Sequence, residues 1–95
     1  MVLSQLSISP VGENVSLSKY VKKVIEILHK NNLKYEINDM STVIETNNIK
    51  DLFKTVEEAH NAVFNLGAKR VITELKIDDR RDKKVLLGSK VNSLK

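Results

Sequence analysis

The chain has 95 residues, 41% hydrophobic and 29% charged, a balance that gives one modest core and excludes intrinsic disorder. It contains no cysteine, which excludes disulfide scaffolds, thiolate metal centres and cysteine nucleophiles. The net charge of +4 sits at one end: residues 1–79 carry 10 Lys+Arg and 11 Asp+Glu, while residues 80–95 carry 6 and 1.

Residues 2–9 (VLSQLSIS) alternate and are rich in β-formers, which predicts a strand ended by Pro10 and Gly12. Ser16 or Ser18 then caps a helix that runs to about Asn31. Its apolar stripe is Leu17, Tyr20, Val21, Val24 and Leu28, widened by Ile25 and Ile27. KYEIN (34–38) and STVIET (41–46) predict two short strands joined through Asp39-Met40, a hairpin without the Asn-Gly turn signal. Asn47 or Asn48 caps a second helix reaching Leu66, with Ile49, Leu52, Phe53, Val56, Ala59, Val63 and Leu66 on its apolar side. Gly67 follows in the C′ position, and KRVITELKID (69–78) alternates as the last strand.

Strand, helix, strand, strand, helix, strand is the ferredoxin-like βαββαβ order, an α+β fold. It predicts one four-stranded antiparallel sheet with both helices on one face. Residues 1–79 make the ferredoxin-like domain. Residues 80–95 are a basic C-terminal tail of that same domain, a polar loop and about one helical turn near Val91 and Leu94.

With helices on one side only, the alternation sorts each strand into a covered and an open face. Val71, Thr73, Leu75 and Ile77 are expected under the helices, as are Thr42, Ile44 and Thr46. The open face collects Gln5, Ser7, Glu45, Glu74 and Lys76 among Leu3, Val43 and Ile72. That mixture suits a subunit interface with a few polar groups inside it, or a pocket at such an interface. The small aliphatic core, with two Phe, two Tyr and no Trp, also favours oligomerisation.

Candidate chemistry is sparse. Gly12, Gly67 and Gly88 are scattered, so no phosphate loop forms. His60 reads as a core-edge histidine hydrogen-bonded to backbone, and His29 as a favourable charge at a helix C-terminus. Ser7 and His60 should lie on opposite sides of the sheet. Asp78, Asp79 and Asp82 could hold a hard cation, but Arg80, Arg81 and Lys83 beside them favour an ion-paired cluster. No catalytic residue, metal site or cofactor is expected. Apolar runs fall well short of the ~20 residues that span a bilayer, and the N-terminus lacks the pattern of a signal peptide. No basic stripe is interleaved with aromatics. A cytoplasmic protein without membrane or nucleic-acid partners is expected.

SISPVGENVSLSKYV (7–21), LKYEINDMSTVIET (33–46), HNAVFNLGAKRVIT (60–73) and KIDDRRDK (76–83), in that order, resemble the short thiamine-binding protein family. The resemblance implies a ferredoxin-like fold, assembly as homodimers or homotetramers, and binding of thiamine or its hydroxymethylpyrimidine part without turnover. An aminopyrimidine needs one carboxylate and a few neutral donors and acceptors, and a thiazolium cation prefers a nearby acid or aromatic face. Glu45 is the first candidate for the carboxylate. Tyr35 can offer a ring face or hydroxyl, and Ser7, Asn38 and Thr42 neutral hydrogen bonds. In one place the chain departs from the family pattern, carrying Thr46 where a glycine is usual. Two other readings stay open: an assembly or regulatory module that binds only protein, and a small enzyme using His60 with Glu45 or Asp78.

Overall fold

The computed structural model describes residues 1–12 and 17–95. Strand β1 (Val2–Pro10) is followed by α1 (Leu17–Lys30), β2 (Lys34–Ile37), β3 (Thr42–Thr46), α2 (Ile49–Asn65), β4 (Val71–Asp79) and the short α3 (Ser89–Asn92). The strands form one antiparallel sheet in the order β2-β3-β1-β4, the ferredoxin-like arrangement expected from the element order.

Local chemistry fixes the element ends. The Asn48 side chain accepts a 2.8 Å hydrogen bond from the Asp51 N–H and so caps α2. At the end of α1, Asn32 takes a left-handed φ of 57°. There the Leu33 N–H donates to the Leu28 carbonyl and the Asn32 N–H to the His29 carbonyl, the paired bonds of a Schellman turn. After α2, Gly67 takes a φ of 111° and its N–H donates to the Phe64 carbonyl at 2.9 Å. Ser18 lies within the first turn of α1 instead of capping it, and the alternative cap, Ser16, falls outside the described residues. The β2–β3 hairpin closes with the Asn38 N–H donating to the Ser41 carbonyl at 2.9 Å. Neither Asp39 nor Met40 has a positive φ, so the turn is not of the primed type that matches strand twist.

The core lies between the sheet and α1 and α2. Tyr20, Leu28, Ile44, Leu52 and Val63 are its largest fully buried side chains. Val2, Ser4, Leu6 and Ile8 share the helix side with Thr42, Ile44 and Thr46 and with the odd-numbered residues of β4. On α2 the buried set is Leu52, Thr55, Ala59, Ala62 and Val63. Phe53, expected in the stripe, is exposed because it lies about 100° around the helix from Leu52. On α1, Leu17 and Val21 also stay exposed, at 58% and 45%, although both continue the stripe of Val24 and Leu28. The cause is local. β3 begins only at Thr42, opposite Leu6, so the sheet beneath the first turns of α1 is one strand narrower.

Candidate ligand-binding cleft

That missing width is a cleft of about 250 Å³ between the first half of α1, the end of β1 and the β2–β3 turn. Leu17, Val21 and Ile25 line it from the helix, Ser7, Ile8 and Ser9 from β1, and Asn38, Asp39, Met40 and Thr42 from the hairpin. Its volume is at the small end for a small-molecule site, with room for a single heteroaromatic ring. Met40, 88% exposed, and Ile37 add apolar surface at the rim beside Leu17 and Val21, a grouping of exposed hydrophobics that marks binding surfaces. A larger groove of about 520 Å³ runs between α1 and α2. It is shallow and lined by charges that pair with each other, Lys30 with Glu58 and Lys23 with Glu26.

Three of the five residues singled out from sequence meet in the cleft: Ser7, Asn38 and Thr42. Ser7 belongs to the open face, but no β3 residue stands beside it, so it also borders the cleft. Tyr35 lies on the helix side of β2, half-buried against the core cluster, and does not line the cleft. Glu45 sits on the open face toward the other end of β3, in a row across the sheet with Lys34, Leu3 and Asp78. It is 9% exposed. Its Oε1 accepts a 2.7 Å hydrogen bond from the Leu87 N–H. The partner a buried carboxylate requires thus comes from the chain's own C-terminal segment. Lys90 pairs with Asp78 in the same row, and Val85 is buried. The segment therefore folds back over this part of the open face.

His60 shares a 2.6 Å hydrogen bond between Nδ1 and the Thr73 hydroxyl. Its partner is a β4 side chain, not the expected backbone group, and the ring also meets Phe64 edge-on at 5.3 Å. Thr73 faces the helices, so His60 and Ser7 lie on opposite sides of the sheet. Past β4 the charged run pairs internally. Arg80 donates to both Asp82 carboxylate oxygens at 2.6 and 3.0 Å, and Arg81 to both of Asp79 at 3.4 and 2.9 Å. The Arg81 and Arg80 hydrogen bonds hold the Asp79 and Asp82 carboxyls, respectively, below the usual carboxylate range.

The sheet, its strand order and its helix-covered face define a ferredoxin-like α+β protein. The model of the thiamine-binding protein family matches residues 4–95, and the chain belongs to that family. It is 44% identical to a UPF0045 protein of Methanothermobacter thermautotrophicus, with 100% of this chain and 97% of that one covered. It is 40% identical to the UPF0045 protein YqgV of Bacillus subtilis, over 99% and 94% of the two chains. Among solved structures, the hypothetical protein MJ1052 of Methanocaldococcus jannaschii superposes with a TM-score of 0.88 at 42% identity, covering 98% of this chain and 94% of that one. Among the described residues, no helix is long and apolar enough to cross a membrane.

Proposed function

We propose that this protein binds thiamine, or the hydroxymethylpyrimidine half of it, in the cleft at the start of α1 and does not turn it over. The observation that carries this reading is the convergence of Ser7, Asn38 and Thr42 under an apolar rim of Leu17, Val21 and Met40, in a member of a thiamine-binding family. A flat heteroaromatic ring gains from the apolar walls, and its nitrogens are met by hydroxyl and amide groups. The Asp39 carboxylate at the hairpin turn offers a counter-charge to a thiazolium cation directed outward. Assembly of copies through the open face belongs to the same proposal, supported by the apolar Leu86, Val91 and Leu94 that the covering segment leaves exposed.

Calorimetry with thiamine and with hydroxymethylpyrimidine tests the reading. Wild type should bind both, and Thr42→Val or Asn38→Ala should weaken binding roughly three- to ten-fold, the loss of one neutral hydrogen bond. Glu45→Ala should leave affinity in place, since Glu45 holds the tail. Loss of binding in that variant instead moves the ligand to the open face, and absence of heat from wild type near millimolar ligand ends the proposal.

A further inference from the structure

Strand β4 pairs with β1 at every position from Val2 to Pro10, whereas β3 pairs with it only as far as Leu6. The direction of the main-chain groups beyond Leu6 follows from two bonds. The Val11 N–H donates to the Arg70 carbonyl at 2.8 Å, so the odd residues of β1 turn their N–H and C=O toward β4 and the even residues turn theirs the other way. Asn38 donating to the Ser41 carbonyl fixes the same phase from the far side, with the even residues of β3 facing β1. Ile8 is even, and it lines the cleft. Its N–H and C=O therefore point side by side into the gap that β3 leaves, and among the described residues no backbone hydrogen bond reaches them from there. Pro10 holds the next such position, where a missing N–H costs nothing.

We infer that the main chain of Ile8 reads the edge of the ligand's ring. The inference rests on the proposed thiamine-class site and deepens it. One extended residue presents a donor and an acceptor in the same direction. A ring that carries an amine beside a ring nitrogen presents the complementary pair, its amine to the carbonyl and its nitrogen to the N–H. The ligand class is thus a 4-aminopyrimidine inserted edge-first against β1, with its other substituent outward past Met40 and Asp39. Two hydrogen bonds to a rigid strand orient the ring, and they satisfy half-buried backbone groups that are costly to leave unpaired. The edge free at Ile8 is too short to pair with an added strand, which fits a small planar ligand better than a peptide.

The test uses hydroxymethylpyrimidine as probe and the full-length chain. Ile8→Pro removes the N–H without touching a β1–β4 bond, and should bind about ten-fold more weakly than wild type. Ile8→Ala keeps the N–H and should lose less. Equal losses in the two variants overturn the inference. Because proline could also disturb the strand, the Ile8 amide of ¹⁵N-labelled wild type is followed in parallel. On saturation it should shift and gain protection from hydrogen exchange. A saturated protein whose Ile8 amide stays unchanged overturns the inference and leaves the binding reading standing, whereas a wild type that takes up no probe removes both.

Discussion

Thr46 ends β3 with its side chain on the helix side of the sheet, opposite Val2, and is almost fully buried. Among the described residues its hydroxyl has no hydrogen-bond partner, and neither has that of Ser4 one row along. A buried hydroxyl without a partner carries its desolvation cost with nothing to offset it. Thr46→Val keeps the shape and the β-branch and removes the cost. It should stabilise the protein by about 1 kcal/mol, a rise in Tm of roughly 4–8 °C for a domain of this size. Thermal unfolding by circular dichroism checks this, and a fall in Tm shows that the hydroxyl is bonded after all. Thr46 also stands at the position where the resemblance to the family implied a glycine. Its φ is not positive, so the backbone makes no demand for glycine. Thr46 lies four residues from Thr42, about 13 Å along the strand, too far to touch the cleft.

At the scale of elements, the exit of β4 is a pair of forked arginine–carboxylate contacts at the surface. Arg81 holds Asp79 and Arg80 holds Asp82, and both carboxyls are lowered from 3.8. A lowered folded-state value means that the native chain binds fewer protons than the unfolded chain in this range. The contribution is therefore complete above about pH 4 and disappears as pH falls through the lowered values. Carboxyl NMR titration should place both midpoints below 3.8. Arg81→Ala should return Asp79 toward that value and leave Asp82 lowered, and added salt should shrink both shifts. This cluster was legible from sequence, since alternating charges two apart at a strand end have only each other and water as partners. So were the strands, the helices and the two sheet faces, because period-2 and period-3.6 patterns follow directly from backbone geometry. The cleft was legible only in part. Ser7, Asn38 and Thr42 could be named as polar groups, but their meeting point depends on β3 starting only at Thr42, opposite Leu6, and no local pattern encodes how far a neighbouring strand reaches. For the same reason Leu17 and Val21 read as core. Glu45 read as a ligand group because its actual partner, the Leu87 N–H, lies 42 residues away and belongs to a main chain that carries no residue-specific mark.

At the scale of the whole molecule, the C-terminal segment decides what the open face offers to a second copy. In the row Lys34, Glu45, Leu3 and Asp78, the chain itself holds Glu45 through the Leu87 N–H and Asp78 through Lys90. The uncovered remainder mixes Gln5, Ser7, Glu74 and Lys76 with the exposed apolar Met40 and Ile72. Exposed apolar groups are also present on the segment, at Leu86, Val91 and Leu94, alongside Ile72 on β4. Leu86, Val91 and Leu94 outnumber the exposed apolar groups of the strands here, so the segment is the larger contact if copies assemble through this face. Deletion of residues 85–95 should then yield a monomer by sedimentation velocity where the full chain is larger. It should also cost about 2–4 kcal/mol of stability, from the lost burial of Val85 and the lost N–H donor to Glu45. Thiamine affinity should persist in the truncated chain, because the cleft lies toward the other end of β3. A truncated chain that remains assembled moves the interface to the strand part of the open face around Ile72 or to the outer edge of β4. That edge is nine residues long and lies at the end of the sheet order, so its main chain is open to pairing with a second copy.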